Sequence, residues 1–259
     1  MIPQDEVLGN IEDYVILKGY RGSIAHGTYE ETVTDDDHDI MGIFVPPPDA
    51  VFGIRNIECV ERMIPEKLSE KRTRVYDIVY YSVKKYLNLI MKQNPNVICL
   101  LWLSPKHYIK RTKWGDLLIA SRDRLLSKQC YHSFVGYAYG QLHRMTHHAQ
   151  TGDMGKKRKE LVAQFGYDVK NAGHLIRLLK MGAEALVLGE MIVERPDNNQ
   201  LLEIKRGEWT LERVQKYADE LFANLDAAMI KSSLPTKVGE AFVNDLCMKI
   251  VRGFYGDGR

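Results

Sequence analysis

The 259-residue sequence lacks any run of about 18 apolar residues, so no segment of it reads as a helix crossing a bilayer. Cysteine is sparse. Its four copies, Cys59, Cys99, Cys130 and Cys247, have no paired spacing, which argues against a disulfide framework or a zinc knuckle and suits a reducing compartment. Excess charge is missing too: 36 basic residues stand against 34 acidic ones, a formal charge of +2. That excludes a general nucleic-acid coat and leaves any polyanionic partner to local patches. The opening MIPQDEVLGN has no basic start followed by an apolar run, so it does not read as a signal peptide. Repeats and low-complexity linkers are absent as well. The apolar fraction of 45% and charged fraction of 27% are ordinary for a globular protein, and the chain is long enough to bury a sizeable core. A cytoplasmic protein with no membrane contact is the expectation.

Tyr14-Val15-Ile16-Leu17 is short, apolar and β-branched and stops at Gly19, which predicts a buried strand. Ile40 to Val45 predicts a second strand, closed by Pro46-Pro47-Pro48 because proline cannot continue a ladder. Val51 to Ile54 and Cys59-Val60 read as edge strands. Val75 to Tyr81 is a third strand, rich in β-branched and aromatic residues. From Ser82 the period changes: Val83, Tyr86, Leu87, Ile90 and Met91 recur at helical spacing, with Ser82 as N-cap. Asn94-Pro95 ends that helix and Pro95 can open the next. Further helices are predicted at Lys113 to Leu126, Gln129 to Gln150, Lys156 to Leu188, Thr210 to Lys231 and Lys237 to Phe254, interrupted by a β-like insertion near Met191 to Ile204. The expected class is α+β: a small mixed β-sheet core with flanking helices over residues 1–110, then a mostly helical portion, 111–259, packed on it.

The stretch GYRGSIAHGTYEETVTDDDHDIMGIFV, residues 19 to 45, concentrates the chemistry. Gly22 permits unusual dihedrals and a close backbone approach, Ser23 adds a hydroxyl, and a helical turn starting there would face N–H groups to an anion. Further on, Asp35-Asp36-Asp37-His38-Asp39 leads straight into an apolar strand. On a strand, Asp37 and Asp39 point to one side and His38 to the other. Two carboxylates that close repel each other unless a cation sits between them, and Mg²⁺ takes one or two protein carboxylates plus substrate phosphates. Asp77 faces inward on the third strand. A solvated acidic turn is the plainer reading, with Asp35 as an extra, solvated carboxylate. A calcium loop does not fit, since Ile40 and Pro46 stand where Gly and Glu are required.

In YDVKNAGHLIRLLK, residues 167 to 180, Lys170, His174 and Arg177 share one helical face, while Val169, Ala172, Leu175, Ile176 and Leu179 form an apolar stripe. The cations are either a solvated stripe or a triphosphate site, with Lys170 and Arg177 on phosphate and His174 on phosphate or acceptor. Tyr167 could stack on a base. His143, His147 and His148 do not make a metalloprotease motif, because Arg144 occupies the position of its glutamate. Lys156-Lys157-Arg158-Lys159 and the group Lys106, Lys110, Arg111 and Lys113 are solvated charge runs or grips on an acceptor's phosphates.

Gly-Ser, a spacer, D-x-D before an apolar strand and a later acidic strand together resemble the DNA polymerase β superfamily of nucleotidyltransferases. Within it, Thr34 to Val45, Asp77 to Tyr86, Asn94-Pro95-Asn96 and Tyr167 to Leu179 resemble the RNA-repair-pathway nucleotidyltransferase group. That resemblance implies two Mg²⁺ ions held by Asp37, Asp39 and Asp77, with Asp77 near the attacking hydroxyl. It also implies β- and γ-phosphates held by Gly22 and Ser23, and an in-line two-metal displacement. The expected reaction moves an NMP from an NTP to a hydroxyl, with RNA (tRNA or an RNA end) as acceptor. A protein or small-molecule acceptor, or a non-catalytic nucleotide- or RNA-binding module, are the alternatives.

Overall fold

The computed structural model describes residues 10–30, 36–70, 72–147 and 156–256, with the backbone alone at residues 36, 147 and 156–158. Thr34, Asp35 and His148 lie outside them. By contacts the chain forms two compact units that are not consecutive in sequence. The first comprises residues 1–91, 97–125 and 238–259, the second residues 92–96 and 126–237.

The first unit is built on five strands: β1 (Val15–Tyr20), β2 (Asp36–Phe44), β3 (Cys59–Lys67), β4 (Thr73–Ser82) and β5 (Tyr108–Arg111). They lie in the order β3-β4-β2-β1-β5. β2 runs parallel to β4, while β1 is antiparallel to β2 and β5, and β3 to β4. The sheet is therefore mixed, as expected. Alternation along the strands gives it two apolar faces. Val15, Ile40, Phe44, Val60, Ile78 and Tyr80 form a buried cluster with Ile11 and Ile57 on one side. Met41, Ile43 and Val79 are buried on the other, by the same two-residue period.

Helix α1 (Val83–Met91) follows β4 directly. Its start is fixed by Ser82, whose Oγ accepts from the Lys85 amide at 3.2 Å, a cap contributing about 1 kcal/mol. Val83, Tyr86, Leu87 and Ile90 are its buried face, each contributing about 1.5–3 kcal/mol by leaving water. Helix α2 (Lys113–Ala120) follows β5, and a helix far along the chain, α8 (Glu240–Gly256), packs on both α1 and α2. The contacts of α8 are specific: the Trp114 ring fills the space a Cβ on Gly253 would take, Arg124 sits 3.5 Å from the Phe242 ring centroid, and the Tyr255 hydroxyl donates to the Pro46 carbonyl.

The second unit is helical: α3 (Gln129–His147), α4 (Lys156–Phe165), α5 (Val169–Leu188), α6 (Asn198–Lys205) and α7 (Leu211–Lys231). Its centre is α5, against which α3 and α7 pack. The close approach occurs at Gly182, where a Cβ would lie only 3.0 Å from Phe134 and 3.1 Å from Leu225. The helix predicted over 156–188 is broken because Gly166 takes φ +79°, a conformation only glycine adopts cheaply. Asp168 then caps α5, its carboxylate accepting from the Asn171 amide at 3.0 Å and the Asn171 side chain at 2.9 Å. The β-like insertion expected near Met191 to Ile204 is absent. Instead Arg195, with its side chain 1% exposed, is held by Glu184 and Asp197, and the chain turns into α6. Among the described residues no helix is long and apolar enough to cross a membrane.

Candidate active site

The site is set by strand register. Asp37 and Asp39 stand two residues apart on β2, so they share a face. In the parallel β2/β4 ladder Asp39 is the direct partner of Asp77, and Asp37 that of Val75. All three carboxylates therefore project from one side of the sheet, Asp37 and Asp39 in the first half of β2 and Asp77 midway along β4. Met63 on β3 pairs with Asp77 and extends the row to the sheet edge. The opposite face is unlike it. There His38 packs edge-on to Tyr20, Tyr29 and Tyr76, with ring centroids 5.4–5.9 Å apart, so His38 belongs to an aromatic cluster and not to the carboxylate row.

The Gly-Ser turn arrives at the same place because β1 lies beside β2. The Arg21 amide donates to the Asp39 carbonyl at 2.8 Å, continuing the β1/β2 ladder by one residue. Gly22 then reverses the chain with φ +63°, and Gly22–Ala25 form a single helical turn. A Cβ on Gly22 would stand 2.2 Å from Oδ2 of Asp39. Only glycine lets the backbone come that close to the carboxylate. Ser23 is the next residue of the turn, and its carbonyl accepts from the Thr28 amide at 2.9 Å.

One side chain enters the site that the sequence reading had not singled out. Nη2 of Arg21 lies 3.4 Å from Oδ2 of Asp77 and 3.9 Å from Oδ1 of Asp39. Its signal was present: a fixed cation immediately before the Gly-Ser turn, in a chain whose acidic strand needs a counter-charge.

Among the described residues no three His, Cys, Asp or Glu side chains converge as a ready cation cage. The donor set still suits a hard divalent ion. It consists of carboxylate oxygens alone, which Mg²⁺ prefers, two of them register-matched and already sharing one positive group.

The cationic row sits in the second unit. Lys170 is exposed on α5, and His174 and Arg177 are half-buried on the same helix. Arg177 contacts the Met181 sulfur at 3.5 Å. Lys180, one turn on, is taken up by Asp197 at 2.7 Å. Tyr167 is not placed to stack on a base: it is 2% exposed, and its hydroxyl donates to the Trp209 carbonyl at 2.7 Å. The hydroxyl needs a partner once buried, and Trp209 supplies it.

A mixed sheet with register-matched carboxylates and a glycine turn pressed against one of them defines a nucleotidyltransferase of the DNA polymerase β type. More narrowly, the chain belongs to the RNA repair pathway DNA polymerase beta family, whose sequence profile matches residues 5–249. No curated protein matches it. Among solved structures it is similar to a nucleotidyltransferase-like protein from Exiguobacterium sibiricum 255-15. Identity is 10% and the TM-score 0.29, over 98% of this chain and 79% of that one, too loose a superposition to align individual residues.

Proposed function

We propose that this chain is a Mg²⁺-dependent enzyme that transfers an NMP from an NTP to a hydroxyl on RNA. The observation that carries the reading is the alignment of Asp39 with Asp77, with Asp37 two residues away on the same face and Gly22 pressed against Asp39. Asp37 and Asp39 would hold two Mg²⁺ ions, and Asp77 would complete the shell of one of them. When bound, Mg²⁺ lowers the pKa of the acceptor hydroxyl and neutralises charge on the departing pyrophosphate.

The chain's own residues divide the remaining work. The Gly22-Ser23 turn receives the β- and γ-phosphates, with backbone close approach at Gly22 and the Ser23 hydroxyl as donor. Asp77 stands nearest the acceptor, where its carboxylate takes the hydroxyl proton. The acceptor oxygen bonds the α-phosphorus, the bond from that phosphorus to the β-phosphate oxygen breaks, and pyrophosphate leaves with the electron pair. In the first unit Lys110 donates to the Glu12 carbonyl and Arg111 pairs with Asp116 at 2.7 Å, so these two cations are engaged within the fold.

The test is transfer of labelled NMP to RNA in the presence of Mg²⁺. Asp37→Ala combined with Asp39→Ala should abolish it while circular dichroism stays that of the wild type. Transfer that survives the double substitution overturns the assignment. Label that persists on a protein band after RNase treatment moves the acceptor from RNA to protein.

A further inference from the structure

Resting on the reading above, a second role emerges for the side chain that neutralises the site. Among the described residues, Arg195 and Arg21 each meet two carboxylates, and they are built differently. Arg195 engages through every part of its fork: Nε donates to Asp197 at 2.8 Å, Nη2 to Glu184 at 2.8 Å, and Nη1 to Glu184 and the Ile192 carbonyl. This is a fixed structural network. Arg21 engages through Nη2 alone, at 3.4 Å from Asp77 and 3.9 Å from Asp39. Charge-assisted hydrogen bonds normally close to about 2.7–2.9 Å. Its Nε is buried and has no hydrogen-bond partner, so nothing on the inner part of the fork anchors it. The side chain is 31% exposed, which leaves it a way out.

The charge balance points the same way. One guanidinium set against two carboxylates leaves the site net negative, so a divalent cation is still attracted. Arg21 cannot relieve the competition by losing its proton, because a guanidinium does not deprotonate in proteins. It can only move.

We propose that Arg21 is a tethered counter-cation for Asp39 and Asp77. It holds the two carboxylates together before metal arrives and gives up their shared position to the divalent ion, so that metal binding at this site is a cation exchange. Arg21 is thus a positioning residue acting through the carboxylates. A residue that merely braced the site would, when removed, leave metal affinity unchanged or lower it. A counter-cation predicts the reverse.

The experiment measures Mn²⁺ binding to the full chain without nucleotide, by calorimetry and by loss of the free-ion electron paramagnetic resonance signal. Arg21→Gln should bind Mn²⁺ about two- to fivefold more tightly than wild type, the range expected when partly exposed ion pairs are removed. Without metal it should melt at a lower temperature than wild type, the gap closing as Mn²⁺ is added. Should Arg21→Gln not fold, Arg21→Met carries the test, since it keeps most of the apolar stem while removing the charge and must also tighten binding. Mn²⁺ affinity that is equal or weaker in the variant that folds overturns the role of Arg21. If neither wild type nor variant binds Mn²⁺, the metal-dependent reading itself is overturned. Asp39→Asn and Asp77→Asn, losing the wild-type binding, locate it at this pair.

Discussion

Gly22→Ala separates the stability of the site from its chemistry. Gly22 has φ +63°, and an L-residue in that left-handed region costs about 1–2 kcal/mol. For a unit of this size that lowers the melting temperature by about 2–8 °C. The new Cβ would also stand 2.2 Å from Oδ2 of Asp39, well inside any van der Waals contact. That atom is the far end of a rotatable side chain, so the clash is relieved by swinging the carboxylate away at little further cost in stability. Its effect is functional: Asp39 leaves the position opposite Asp77 to which register assigns it. The expected result is a modest fall in melting temperature with a loss of Mn²⁺ affinity and NMP transfer of at least about tenfold, corresponding to about 1.4 kcal/mol. Scanning calorimetry, Mn²⁺ titration and labelled transfer on the same preparation check it. Melting that drops while affinity and transfer stay at wild-type levels would refute the placement of Asp39 in the reacting site.

Arg195→Ala leaves Glu184 and Asp197 without their shared cation in a site where the arginine side chain is 1% exposed. Breaking such a buried network should cost about 3–5 kcal/mol in denaturant unfolding, whereas Lys170→Ala on exposed α5 surface should change stability by less than about 0.5 kcal/mol. At Glu12, burial pushes the carboxyl upward, but hydrogen bonds from Lys18 and Tyr80 and the charges of Lys18 and Lys110 outweigh it and leave the group below its ordinary range. In acid the unfolded chain therefore takes up this proton before the folded one does. The stabilisation is complete above the unfolded carboxyl's pKa, about 4.3, and disappears as pH falls through the lower folded value. Unfolding of wild type and Glu12→Gln should differ most at neutral pH and converge as pH drops below about 4.

The sheet was legible where alternation and β-branched residues agree. β1, the apolar half of β2 and β4 all lie where Tyr14 to Leu17, Ile40 to Val45 and Val75 to Tyr81 placed them. β2 nonetheless begins at Asp36, because its acidic start is drawn into the ladder by parallel pairing with Arg74 and Val75, a partnership some forty residues distant that no local window contains. The sharing of a face by Asp37 and Asp39 was readable from the two-residue period. Their alignment with Asp77 was not, since period does not fix register. Gly166 was missed as a helix breaker because an isolated glycine within a helical pattern is normally tolerated. Tyr167 fell inside for a related reason: once the helix breaks, the residue turns toward the Trp209 carbonyl. Arg21 was visible only as a charge, and its partners emerge only when β1 and β4 are placed on either side of β2.

The return of α8 to the unit that begins the chain has a consequence for synthesis. The surface of α1 and α2 that α8 covers is made early, yet its cover is translated only after the whole helical unit. At about 5–20 residues per second the gap lasts about 7–28 s, during which the ring of Trp114 has no Gly253 to pack against. The first unit is thus completed only when α8 emerges, and a ribosome stalled short of Glu240 would display α1 and α2 uncovered, a target for chaperones.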